Sequence, residues 1–264
     1  MNILEKIIQS KYKEVEERKR SVPVSSLTQS KHFAREVHSL EKSIMKAGST
    51  GIIAEFKRRS PSKGAINEQA KVSQVCLEYA VAGASAISIL TDKQYFGGTL
   101  TDLTEVRKLV DIPLLRKDFI VDQYQIIEAK AAGADAVLLI AAAHNEADLY
   151  RLHEFANSVG LEVLVEVHDD NCIKKIPSIA RLVGINCRDL KTFKIDITIF
   201  SDMAKKLPVK ALKIAESGIS SPDEFQSLRD AGFDGFLIGS MFMQTNDPGK
   251  QCKYFINSVI NRKS

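Results

Sequence analysis

Ala80-Val81-Ala82-Gly83-Ala84-Ser85-Ala86-Ile87-Ser88-Ile89 has two counterparts further along the chain, AKAAGADAVLLI at 129–140 and LRDAGFDGFLIG at 228–239. In each, a helical segment ends at Ala-Gly, one or two small or acidic residues come next, and a buried strand begins. A recurring helix-to-strand joint is the signature of βα repeats. Outward from these joints, short apolar runs at 51–56, 84–90, 113–116, 136–142, 162–167, 182–186, 211–215 and 235–239 alternate with longer amphipathic stretches. The runs show little polar alternation, as parallel strands buried on both faces require. Helices are predicted at 122–132, ending at Gly133, and at 146–159, ending at Gly160. Ser221-Pro222-Asp223-Glu224 reads as the N-cap, first-turn proline and acidic first turn of another. Eight units in roughly 210 residues predict one (β/α)8 TIM barrel over 51–264. A doubly wound open sheet is disfavoured, because no GxGxxG follows the first strand.

Residues 1–50 differ. The first eighteen look helical and charged, with Ile3, Ile7, Ile8 and Val15 on one side, and Phe33, Val37, Leu40 and Ile44 form a second expected helical face. Together they read as a helical extension packed on the barrel. The Lys/Arg run from Lys11 to Arg20 is interleaved with glutamates and reads as a solvated face. Of the 264 residues 44% are hydrophobic, enough for a large core, and the formal net charge is +4. That balance is too weak to imply nucleic acid, but it suits an anionic small molecule. Four cysteines without CxxC spacing argue against a zinc site or a disulfide framework, and free thiols point to a reducing cytoplasm. No signal-peptide pattern and no apolar run of membrane-spanning length is seen.

Polar residues gather where the predicted strands end, and the C-terminal ends of barrel strands carry the active site. The first strand ends in Glu55 and Lys57, which share a face by the period-two rule. The third ends in Arg116-Lys117-Asp118, the fifth in Glu166 and His168, the sixth in Asn186-Cys187-Arg188, and the seventh in Glu216. Charges at a barrel mouth are costly to desolvate unless paired, so such a set points to acid/base chemistry. Ser217-Gly218 and Gly239-Ser240, after strands seven and eight, suit a phosphate, with Ser60 adding a hydroxyl from the first loop. His144, His153 and His168 share no motif and read as surface or helix-start residues rather than ligands, and Cys187 as a packing thiol.

These residues carry a resemblance. Ala54-Glu55-Phe56-Lys57-Arg58-Arg59-Ser60-Pro61-Ser62-Lys63-Gly64 resembles the first-strand signature of the indole-3-glycerol phosphate synthases. The likeness continues through Leu115-Arg116-Lys117-Asp118-Phe119-Ile120, Leu164-Val165-Glu166-Val167-His168, Gly184-Ile185-Asn186-Cys187-Arg188 and Ala215-Glu216-Ser217-Gly218-Ile219. One departure is Cys187, where the family commonly has a second Asn. The resemblance implies a TIM barrel that needs neither metal nor cofactor. It implies ring closure of 1-(2-carboxyphenylamino)-1-deoxyribulose 5-phosphate to indole-3-glycerol phosphate, with loss of carbon dioxide and water, in tryptophan biosynthesis. It implies Lys117 as general acid, with Lys57, Glu166 and Glu55 as further catalytic groups. Asn186, Arg188, Glu216 and Ser217 are implied to bind substrate, and Ser60, Gly218, Gly239 and Ser240 its phosphate. The expected partner is that phosphorylated small molecule, with no nucleic acid or membrane, for a chain expected as a monomer or weak homodimer.

Overall fold

The computed structural model describes residues 2–187 and 199–261, with the backbone alone for Ile199. Eight parallel strands close into a barrel: β1 (Ile52–Phe56), β2 (Ala86–Leu90), β3 (Leu114–Lys117), β4 (Ala136–Ile140), β5 (Glu162–Val167), β6 (Leu182–Asn186), β7 (Leu212–Glu216) and β8 (Gly235–Ile238). Each strand pairs with its neighbours in sequence, and β1 closes the ring onto β8 through Ile53↔Leu237. All eight predicted runs are strands. The fourth stops at Ile140 rather than running to 142, because Ala141–Ala143 turns into a short 3-10 helix. Side chains alternate along each strand. Ile53, Ala86, Leu115, Leu138, Leu164, Leu182, Ile214 and Leu237 fill the barrel interior. The opposite residues of each strand pack under the outer helices, as Phe236 does beneath Phe225.

The helix-to-strand joint has a physical cause. Gly133 ends the helix Gln123–Ala132 at φ 96, in the left-handed region that only glycine adopts freely. Asp135 then accepts the backbone N–H of Leu114, at the start of the neighbouring strand, at 2.8 Å. Asp234 does the same for Lys213, also at 2.8 Å. The acidic residue of the joint thus satisfies a donor that the strand ladder leaves open. The helix beginnings are as predicted: Asp122 with Gln125, and Ser221 with Glu224, form reciprocal capping boxes.

The N-terminal segment brackets the barrel. Helix α1 (Ile3–Ser21) is capped by Asn2 and lies along the C-terminal rim of the strands. The expected helical face from Phe33 to Ile44 is shorter than predicted: only Leu40–Met45 is helical. Residues 35–39 are drawn out instead by bonds to the barrel. Arg35 and the His38 N–H both reach Asp135, at 2.6 and 2.8 Å, and Ser39 reaches Glu162 while capping the short helix. Ile44 of that helix lies against the start of β8 and closes the opposite end of the barrel. Among the described residues no helix is long and apolar enough to cross a membrane.

Asp135 is fully buried and holds Arg35, Arg107 and two backbone N–H groups. Removing one partner of a buried ion pair leaves the other charge uncompensated, which costs about 3–5 kcal/mol. Asp135→Ala is therefore expected to lower the unfolding free energy by about that amount. Urea titration checks it, and a loss below about 1 kcal/mol would remove Asp135 from this role.

Candidate active site

Where β1, β3, β5, β6 and β7 end, their last inward side chains meet over the apolar barrel plug. Glu55 and Lys57 come from β1 and the residue after Phe56, and they form an ion pair. Lys117, the last residue of β3, stands between two carboxylates. Its Nζ lies 2.8 Å from Glu216 Oε2 on β7 and 3.2 Å from Glu166 Oε2 on β5. Asn186 ends β6, with its Cα paired opposite that of Glu216. Gly184 makes room for this cluster, because a Cβ there would collide with Glu216 Oε1. Gly239 likewise leaves space for Glu55.

All these groups face one cavity of about 570 Å³. Eleven of the twelve sequence-predicted residues line it: Glu55, Lys57, Ser60, Lys117, Glu166, Asn186, Glu216, Ser217, Gly218, Gly239 and Ser240. Arg188 lies outside the described residues. The glycines and serines sit together at the ends of β7 and β8, facing the hairpin that Arg59–Ser60 and Gly64–Ala65 make after β1. That hairpin touches the β8 side through Lys63 Nζ and Gln244 Oε1, 3.1 Å apart. Ser217 has φ 68, the only positive φ at a non-glycine among the described residues. Cys187 donates its thiol to the Ser217 carbonyl at 3.3 Å, so the unusual cysteine supports this loop. The cavity also has an apolar lining of Leu90, Leu138, Ile140 and Leu237 with Phe96 and Phe119, whose rings are 6.0 Å apart. Phe96 and Phe119 were not among the predicted site residues. Their positions just beyond strand ends were the available signal.

The electrostatics follow from burial. Desolvation alone would lower the Lys117 pKa, but Glu216, Glu166 and Glu55 outweigh it and hold the ammonium charged. Burial pushes the Glu216 carboxyl up to about 8, opposed by Lys117 and reinforced by Glu166. Among the described residues its Oε1 is buried without a hydrogen-bond partner. A protonated carboxyl there offers a donor to whatever enters the cavity.

Two other readings change. Lys11 is not on a solvated face: it is 1% exposed and paired to Asp92 and Asp118. His153 is buried on the packed side of its helix, and its pKa is pushed down to about 4 by desolvation. His144 stands at a helix start as expected, just ahead of the cap Asn145, and is buried there. Among the described residues only His168, Asp169 and Cys172 bring three metal-ligating atoms together, outside the cavity. Asp169 is committed to capping Cys172 N–H, and burial pushes the Cys172 thiol up to about 11, so the trio is poorly disposed to a cation.

The comparisons with known proteins fit this geometry. A family model described as indole-3-glycerol phosphate synthase matches residues 4–255. The indole-3-glycerol phosphate synthase of Bacteroides thetaiotaomicron is 45% identical over 258 residues, covering 98% of this chain and 99% of the relative. That of Burkholderia vietnamiensis is 41% identical, covering 94% and 96%.

The chain belongs to the indole-3-glycerol phosphate synthase family.

Among solved structures, a chain of the tryptophan synthase complex of Pyrococcus furiosus aligns with a TM-score of 0.59 at 15% identity, covering 81% of this chain and 98% of that one. Thiamine phosphate pyrophosphorylase of Pyrococcus furiosus aligns at 0.60 and 17%, covering 85% and 98%. At such identities these likenesses carry the barrel fold alone. Membership of the indole-3-glycerol phosphate synthase family makes the chain a carboxy-lyase of tryptophan biosynthesis.

The raised Glu216 pKa has a consequence for stability. The folded state binds this proton more tightly than the unfolded chain, whose value is 4.5. Between 4.5 and about 8 the native state therefore carries a proton that the unfolded state lacks, and this group's share of stability falls as pH rises through that window. Glu216→Gln should abolish that decline relative to the wild type. Unfolding free energies measured at intervals from pH 5 to about 9 check it, and parallel curves would overturn the assignment.

Proposed function

We propose that Lys117 is the general acid of the family's ring closure in this chain, with Glu166 and Glu216 as the groups that hold it. The observation carrying this reading is a charged ammonium 2.8 and 3.2 Å from two buried carboxylates, at the mouth of a barrel whose opposite rim suits a phosphate. In the reaction the aromatic carbon attacks the ketone of 1-(2-carboxyphenylamino)-1-deoxyribulose 5-phosphate. The ketone oxygen gains a proton as the carbon–carbon bond forms, and a positioned acid lowers that barrier. The Lys117 ammonium supplies the proton. Carbon dioxide is lost next, and the hydroxyl then departs as water, which takes an acid and a base. Lys57 and Glu55 are paired in the same cavity and are assigned to this second step with Glu166.

Binding divides along the same lines. Ser60, Gly218, Gly239 and Ser240 cradle the phosphate, and Ser217 turns the loop that carries Gly218. The apolar wall with Phe96 and Phe119 takes the aromatic ring, whose burial contributes most of the non-electrostatic affinity. Asn186 and Glu216 orient the linear sugar chain, and Lys57 pairs with the carboxylate that leaves. Arg188 is assigned to the same carboxylate from its position after β6. The buried free cysteines suit a cytoplasmic setting, and the chain is assigned as a monomer or weak homodimer. The ion pairs of Lys11, Arg18 and Arg35 favour an extension and barrel that fold as one unit.

Lys117→Ala is expected to lower kcat by about a hundredfold or more while leaving the fold intact. Indole absorbance reads product formation directly and separates this chemistry from a sugar-phosphate isomerisation, which makes no indole. A folded Lys117→Ala protein with most of its turnover would sink the assignment.

A further inference from the structure

Lys117 is the last residue of β3 and is held by the sheet on one side only. It pairs with Leu90 of β2, while the register with β4 ends one residue earlier, at Arg116↔Val137. The strand ladder therefore leaves the end of β3 underdetermined. A buried ionic cluster stands at the same strand end. Arg116 lies on the opposite face of β3 from Lys117, and Asp118 follows just past the strand end, at the rim of the same cavity. Asp118 Oδ2 accepts from Arg116 at 2.9 Å and from Thr91 Oγ1 at 2.6 Å. Its other oxygen lies 3.0 Å from Lys11 Nζ. Lys11 also reaches Asp92 Oδ2, after β2, at 2.9 Å. One ammonium from α1 thus ties together the residues just beyond two adjacent barrel strands.

We propose that Lys11 is a positioning residue for Lys117: it pins the Asp118 carboxylate and so fixes the direction in which the preceding side chain enters the cavity. The proposal rests on the reading of Lys117 as general acid. Burial alone would lower the Lys11 pKa, yet Asp118, Asp92 and Glu14 hold it charged. Desolvation would likewise raise Asp118, but Lys11 and Arg116 keep it well below the usual carboxylate range. The cluster is therefore a fixed set of charges. Without Lys11, Asp92 would lose an ammonium partner, and Asp118 would be held by Arg116, Thr91 and the Phe119 N–H, with no tie left to α1. A misplacement of about 1 Å, even remote from the chemistry, costs on the order of a hundredfold in rate. Phosphate binding rests on the loops after β7 and β8 and is left in place, and Phe119 of the ring wall keeps its packing against Phe96.

The test compares Lys11→Met, Lys11→Arg and Val15→Ala, with Lys117→Ala alongside, below the unfolding midpoint of each. Val15 is buried on the same helix face and touches no charge of the cluster. Lys11→Met should lower kcat roughly tenfold to a hundredfold with KM changed less than about threefold. Lys11→Arg should recover most of that loss, and Val15→Ala should keep near-wild-type kcat. If Lys11→Met does not fold, Asp118→Asn cuts the same link while leaving Lys11 its bond to Asp92, and the same kcat-only loss is expected. A folded Lys11→Met with unchanged kcat overturns the proposal. So does an equal loss in Val15→Ala, which would make helix docking rather than the ammonium responsible. An active Lys117→Ala would instead overturn the reading beneath it, independently of these outcomes.

Discussion

A buried ammonium persists only among carboxylates, and Lys117 sets that condition for the whole barrel mouth. It cannot be withdrawn from water unless Glu166 and Glu216 approach within hydrogen-bond reach, and burial beside Glu166 in turn raises the Glu216 carboxyl. Three strands must then end at one level and lean their last side chains inward. The closed parallel sheet does this, since every strand points the same way and adjacent registers are fixed. Gly184 and Gly239 are demanded by the same cluster, because the carboxylates occupy the space their side chains would fill.

The barrel was legible because its strands are buried on both faces and its joints repeat. Even the short run at 113–116 became β3, where Pro113 sits before the strand rather than in it. The charged set at the strand ends was legible for a related reason, since polar residues stand out against continuous apolar runs. Lys11 was misread although the spacing held the clue. It lies four residues from both Ile7 and Val15, on the buried stripe of α1, and the neighbouring Lys/Glu alternation concealed it. The segment at 33–39 was misread because its apolar spacing suits a helix, while bonds to Asp135 and Glu162 pull it straight. Those partners lie about a hundred residues away, and no local pattern encodes them. His153 was missed for a similar reason, since a buried neutral imidazole leaves no mark in sequence.

The extension and the barrel meet at both ends of the strands. At the N-terminal end the short helix Leu40–Met45 contributes apolar side chains to the plug. At the C-terminal end α1 contributes charges, Lys11 and Arg18, to a network that reaches Asp118 and Glu128. Buried ion pairs tie the extension to both ends, Arg35–Asp135 at one and Lys11–Asp118 at the other, and apolar side chains of both helices join the plug.

Ser217 holds a left-handed backbone that costs a non-glycine residue on the order of 1 kcal/mol. The chain carries that tension in the turn next to Gly218, the residue proposed to hold a phosphate, so folding and the proposed anion grip draw on one reservoir here. Relaxing the turn with a glycine would make a sturdier molecule that grips its guest less firmly, the familiar exchange between durability and performance.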